Sequence, residues 1–154
     1  MSEATSNHAY GIGMIALLVG MSASIVFYTS FYLPESLLRP SVSEHILHPE
    51  EMLTIDIVEG ALTEGNENYV PNKATAVLTQ NNHVVWVNHD STGHTVTPSH
   101  RYTDSYSGSF DSDGVILPGE SYEFIFTEEH EPIDYFCIPH PWMTGTIGVE
   151  RSRF

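Results

Sequence analysis

The run Ile133-Asp134-Tyr135-Phe136-Cys137-Ile138-Pro139-His140-Pro141-Trp142-Met143-Thr144-Gly145-Thr146-Ile147-Gly148-Val149-Glu150 reads as strand, loop, strand, with the strands at Ile133–Cys137 and Gly145–Glu150. The loop holds the only cysteine of the chain, and Cys137, His140 and Met143 follow one another at intervals of three residues. A thiolate, an imidazole and a thioether are the donors of a mononuclear copper site, provided a second histidine comes from elsewhere. Pro139 and Pro141 flank His140 and restrict the backbone, so the donors are expected to be largely pre-positioned. A lone thiol outside the cytoplasm is prone to oxidation, and ligation to a metal resolves that tension.

Working outward, the rest of the chain after Met52 has an all-β pattern. Strands are expected at Met52–Val58, Ala74–Thr79, His83–Asn88, Gly93–Thr97 and Ser121–Thr127. In the last of these, Tyr122, Phe124 and Phe126 share one face. Asn81-Asn82 marks a turn, and Pro118-Gly119 suits the centre of a type II turn. Ser99 to Gly114 is polar and reads as a long loop. About seven short strands with regular turn signals give a sandwich or barrel. The segment Trp86-Val87-Asn88-His89-Asp90-Ser91-Thr92-Gly93-His94 offers His94 as the obvious candidate for the second histidine.

Other readings fit the donors less well. Structural zinc takes four strong ligands, and methionine is a poor one. A catalytic cysteine needs a base and an oxyanion site, and bulky Phe136 and Ile138 leave little room for a substrate. Cys137 and Met143 as mere core fillers leave the paired prolines unexplained. His83 and His89 are expected on a wet face or strand end, and His45 and His48 in a solvated linker.

The N-terminal part is of a different kind. Tyr10 to Leu33 contains no Asp, Glu, Lys, Arg or His. A helix of 24 residues is about 36 Å long, enough to cross a hydrocarbon core of about 30 Å. Pro34 should end it. A cleaved signal peptide is the alternative, but the leading segment lacks Lys and Arg and no small-residue cleavage site follows. The expected organisation is a tail over 1–9, a transmembrane helix over 10–33, a tether over 34–51 and a β domain over 52–154.

After the helix there are nineteen acidic and five basic residues, a net charge of −14. That field disfavours nucleic acid and anionic lipid surfaces and would steer a basic partner to the domain. Basic residues are too few to fix the orientation of the helix; an extracytoplasmic domain is expected from the copper chemistry.

With these segments in hand, Asp134 to Met143 closely resembles the ligand loop of the cupredoxin family, the plastocyanin/amicyanin group of type 1 blue copper proteins. Its compact spacing is most similar to amicyanin and archaeal plastocyanin-like proteins. Val85–Asn88 followed by Gly93–Val96 resembles the segment with the family's first histidine. Phe110, Leu117–Glu120 and Phe124 resemble the stretch between the ligand segments. The resemblance implies a Greek-key β-sandwich binding one copper ion, with His94, Cys137 and His140 as equatorial ligands and Met143 as axial ligand. It also implies an apolar patch of Pro139, Pro141 and Trp142 around His140, where electrons enter or leave. One position departs from the pattern: several members have Asn after the first histidine, tying the ligand segments together, and Thr95 stands there.

The expected function is therefore that of a membrane-anchored electron carrier, not an enzyme, exchanging one electron with redox protein partners that are basic or membrane-bound. A cupredoxin subunit of a larger membrane oxidase or oxygenase is the alternative, and a copper chaperone is a weaker one. A binuclear copper centre needs two cysteines and is excluded.

Overall fold

The computed structural model describes residues 7–33 and 41–152, with the side chains of 7–9 left out. The chain divides into two units, Met1–Arg39 and Pro40–Phe154. Residues 1–6 of the expected tail, the helix stop at Pro34 and the tether up to Pro40 lie outside the described residues.

In the first unit, α1 (Asn7–Phe27) continues as a π-helical turn over Tyr28–Tyr32. The span Tyr10–Tyr32 has a mean hydropathy of 2.0 and is long and apolar enough to cross a membrane. Two of its hydroxyls turn back on the helix: Ser22 Oγ donates to the Leu18 carbonyl at 2.8 Å and Thr29 Oγ1 to that of Ile25 at 2.9 Å. Polar side chains satisfied in this way are compatible with hydrocarbon.

The second unit begins with α2 (Glu44–Leu47), a single helical turn. The Ile46 carbonyl accepts a 2.8 Å hydrogen bond from Asn82 Nδ2, and the Glu51 amide donates to the Gln80 carbonyl. The later part of the stretch read as a tether is thus fastened to the β unit. The low periodicity of these residues concealed this, because one buried asparagine and one backbone hydrogen bond make the attachment.

The strands are β1 (Met52–Ile57), β2 (Tyr69–Val70), β3 (Lys73–Leu78), β4 (His83–Asn88), β5 (Thr97–Pro98), β6 (Thr103–Asp104), β7 (Gly108–Ser109), β8 (Ser121–Ile125), β9 (His130–Phe136) and β10 (Thr144–Arg151). One sheet has the order β2-β1-β4-β8 and the other β3-β10-β9-β5, while β6 and β7 pair as a small hairpin. Strands β1 and β4 run parallel, as do β3 and β10; the remaining pairs are antiparallel. Each parallel neighbour pair joins distant segments, so the sheets are not simple meanders.

The alternation in β4 carries Val84, Trp86 and Asn88 inward, and Phe124 and Phe126 are buried opposite. Trp86 packs edge-on against Tyr135 and tilted against Phe110, with ring centroids 5.7 and 5.5 Å apart. Tyr135 also meets Tyr69 edge-on at 5.0 Å. This aromatic core fixes β9, and β9 delivers Cys137 to the end of the sandwich. Gly145 on β10 is required by that packing: a Cβ there would collide with the Tyr135 ring.

Two expectations need adjustment. Gly93–Thr97 is not a continuous strand; His94 makes an isolated antiparallel bridge to Ile116, and β5 begins at Thr97. The polar stretch Ser99–Gly114 contains the β6–β7 hairpin, anchored by buried Asp104. Asp104 accepts from the amides of Tyr106, Ser107 and Thr127 and from the Thr127 hydroxyl. The turn at Pro118-Gly119 is as expected: Gly119 has φ +80°, and the Glu120 amide donates to the Leu117 carbonyl at 2.9 Å.

Candidate metal centre

Two stretches of backbone converge at one end of the sandwich. The first is the β4–β5 connection. Asn88 organises it by donating from Nδ2 to the carbonyls of Thr92 and Ile116, both at 2.8 Å, and accepting from the Asp90 amide at 2.9 Å. The backbones of His94 and Ile116 then exchange hydrogen bonds of 3.1 and 2.8 Å. Gly93 lies so close to Val115 that a Cβ would overlap its side chain. These contacts present His94 inward, with no exposed surface.

The second stretch is the β9–β10 loop. The His140 amide donates to the Cys137 carbonyl at 3.2 Å, and the Met143 amide to the His140 carbonyl at 2.9 Å. The Cys137 amide closes the loop onto the Met143 carbonyl at 3.2 Å. Two successive tight turns thereby fold the backbone from Cys137 through His140 to Met143 into a compact loop. Cys137 and Met143 are fully buried, whereas His140 is half-buried.

Cys137 Sγ lies 3.6 Å from His94 Nδ1 and 3.6 Å from His140 Nδ1, and the two ring nitrogens are 3.2 Å apart. Among the described residues, these three are the group of His, Cys, Asp and Glu side chains close enough to hold a metal ion together. A thiolate and two imidazole nitrogens converging in a buried place fit copper by their chemistry. His83, His89 and His48 lie elsewhere, facing Glu123, Asp56 and Glu44 at 2.9, 3.0 and 3.3 Å.

The departure at Thr95 is resolved by its contacts. Thr95 Oγ1 accepts from the Ile138 amide at 2.9 Å, and its own amide donates to Cys137 Sγ at 3.3 Å. Threonine therefore ties the two ligand segments together through its hydroxyl. Tyr69 adds a further tie, its hydroxyl donating to the Thr95 carbonyl at 2.5 Å. Burial, followed by the neighbouring Cys137 and Tyr135, pushes the Tyr69 hydroxyl far above the usual phenol range, so it remains a donor.

Behind His94 sits Asp90, also buried, with Oδ2 2.8 Å from His94 Nε2. Burial alone would raise its carboxyl, but hydrogen bonds from His94, the Gly60 and Ser91 amides and the Thr92 hydroxyl outweigh this and hold it well below the usual carboxylate range. For His94, burial dominates and pushes the imidazole below its ordinary value despite the Asp90 contact. Sequence reading missed both Asp90 and Tyr69. The position of Asp90 four residues before His94 was the available signal; Tyr69 comes from a two-residue strand that no pattern marks.

A β-sandwich with a thiolate and two imidazoles gathered at one end defines a mononuclear copper protein. The chain belongs to the copper-binding proteins of the plastocyanin/azurin family, whose model matches residues 58–150. Its cofactor is one type 1 copper ion, and its fold is that of the cupredoxins, as expected from the ligand loop. Among solved structures it is similar to a purple cupredoxin from Nitrosopumilus maritimus, with 25% identity and a TM-score of 0.51, covering 64% of this chain and 99% of that one. An amicyanin variant in its reduced Cu(I) form is 21% identical with a TM-score of 0.47, over 71% of this chain and 92% of that one. A copper-containing nitrite reductase from Thermus scotoductus SA-01 is 19% identical with a TM-score of 0.51, over 75% of this chain and only 28% of the enzyme. No curated protein sequence matches.

Proposed function

We propose that this chain is a membrane-anchored carrier of single electrons, with His94, Cys137 and His140 as equatorial copper ligands and Met143 as the axial one. The observation that carries the reading is the convergence of Cys137 Sγ and the two Nδ1 atoms within 3.6 Å of one another. Bound copper supplies the Cu(I)/Cu(II) couple. The chain's own part is to hold the donors where little rearrangement is needed between the two states. The loop turns, the Thr95 tie and the Tyr69 hydroxyl do this, while burial of Cys137 and Met143 excludes water.

Half-buried His140 is the side chain of the set nearest to solvent. Ile138, Pro139, Pro141 and Trp142 are exposed around it, Ile138 by 59% and Trp142 by 38%. Trp142 packs beside the His140 ring with centroids 5.4 Å apart. This apolar patch suits a transient redox partner docking over His140, and the acidic remainder of the domain would steer a basic one. The helix over 10–33 confines the domain to a membrane, with the copper domain on the extracytoplasmic side.

A cupredoxin subunit fixed within a larger membrane oxidase or oxygenase is the second reading. It draws on the nitrite reductase, in which a region similar to this chain occupies about a quarter of a longer polypeptide. Extraction in mild detergent separates the two. A protein that migrates alone and exchanges electrons rapidly with a small redox mediator is a shuttle, and one that leaves the membrane only within a complex is a subunit. Protease added to sealed cells tests the orientation: the shuttle reading requires digestion of the domain before lysis.

A further inference from the structure

Asp90 takes no part in the proposed ligand set, yet it is among the most completely enclosed charged side chains described, only 2% exposed. Its Oδ1 accepts from the Gly60 amide at 3.1 Å and the Ser91 amide at 2.8 Å. Its Oδ2 accepts from the Leu62 amide at 3.3 Å and the Thr92 hydroxyl at 3.1 Å. The remaining contact of Oδ2 is His94 Nε2 at 2.8 Å. No Lys or Arg pairs with it among the described residues. A buried carboxylate without a cationic partner has to be satisfied by hydrogen-bond donors, and these four protein donors leave His94 Nε2 as the fifth.

Three backbone amides, which can only donate, already use both Asp90 oxygens as acceptors, and this arrangement places the proton of the His94 ring on Nε2. The Thr92 hydroxyl gives its proton to Asp90 and lies 3.1 Å from the same Nε2, where it serves as a second acceptor. Nδ1 is then left with a free lone pair, and it is this atom that faces Cys137 Sγ and His140 Nδ1. A carboxylate on the far nitrogen of a ligating histidine fixes its tautomer and orientation and raises its basicity. Greater donor strength and a nearby negative charge favour the more positive metal state.

We propose that Asp90 is a positioning residue that holds His94 in the Nε2–H tautomer and biases the bound copper toward Cu(II), lowering its reduction potential. This rests on the copper reading above. It adds that the loop over Gly60–Leu62, remote in sequence from every proposed ligand, helps to set the potential by anchoring Asp90.

The test has two arms on the full-length chain in detergent. Nitrogen-15 NMR of the metal-free protein should show the His94 ring protonated at Nε2 with a slowly exchanging proton. Asp90→Asn keeps the size and one acceptor but removes the charge. It should shift the preference of the site toward Cu(I) about tenfold, a rise of about 59 mV in potential for a one-electron couple, with faster exchange of the Nε2 proton. An Nδ1–H tautomer in the wild-type protein overturns the proposal, as does an unchanged potential in folded Asp90→Asn. If that variant does not fold, the wild-type tautomer decides. A wild-type protein that takes up no copper defeats the copper reading itself, a result distinct from either of the others.

Discussion

Removal of the Thr95 hydroxyl should loosen the join between the two ligand segments. In Thr95→Val the shape is kept, but the Ile138 amide loses its acceptor at 2.9 Å. A hydrogen bond of this kind contributes about 1 kcal/mol net, and about 1–3 kcal/mol if the orphaned donor stays dry. Ile138 is 59% exposed and the hydrogen bond only partly buried, so water can reach part of the loop and the lower figure applies. About 1 kcal/mol corresponds to a fall of about 4–8 °C in the Tm of a domain near this size. The consequence for the metal is larger than that for the fold, because Cys137 adjoins Ile138 and the Thr95 amide donates to its sulfur. Loss of such an outer contact costs about 10-fold or more in metal affinity. Thermal unfolding of metal-free protein and Cu(II) competition against a chelator measure the two effects separately. Thr95→Ser keeps the oxygen and should resemble the wild type in both. Equal Tm and equal affinity for Thr95→Val and the wild type would refute the reasoning, as would a serine variant as impaired as the valine one.

Gly145→Ala should destabilise the metal-free protein by about 1–3 kcal/mol, because the new methyl meets the Tyr135 ring, which is wedged in the aromatic core. Gly93→Ala should cost less by thermal unfolding, since the obstructing Val115 is 55% exposed and can give way. Asp104 tests the acid limb of stability. Burial opposes its ionisation, but hydrogen bonds from Ser107, Thr127 and Tyr106 prevail and lower its folded value. The stabilisation it contributes is present above the ordinary carboxylate value and is lost as pH falls through the folded one. Denaturant titrations of Asp104→Asn should therefore show a deficit of about 1–3 kcal/mol at neutral pH that shrinks in acid; a deficit independent of pH would contradict this.

The ligand loop was legible because its chemistry is local: Cys137, His140 and Met143 lie within seven residues, and the turns that gather them involve only that loop. The face of β8 and the residue after it was legible for the same reason, since Phe124 and Phe126 are buried and Tyr122 packs half-buried against the core. His94 was found through its neighbours and not through strand geometry, because the bridge to Ile116 depends on a segment 22 residues away. The parallel pairing of β1 with β4 and of β3 with β10 leaves no periodic trace. Either direction of pairing buries the same alternating residues. Asp90 was marked only by its spacing to His94 and Tyr69 by nothing, because a single buried polar contact has no period. Their partners, the Gly60 and Leu62 amides and the Thr95 carbonyl, are backbone groups that every sequence carries. The hydroxyl of Thr95 took over a task associated with asparagine, which depends on where the Ile138 amide lies.

The most direct test is a titration of the metal-free protein with Cu(II), followed in the visible spectrum. Charge transfer from a cysteine thiolate should give an intense band that grows to one equivalent, bleaches with ascorbate and is absent from Cys137→Ser, although that variant stays folded. A protein that stays colourless with Cu(II), or a Cys137→Ser variant that keeps the band, would contradict the assignment of this site.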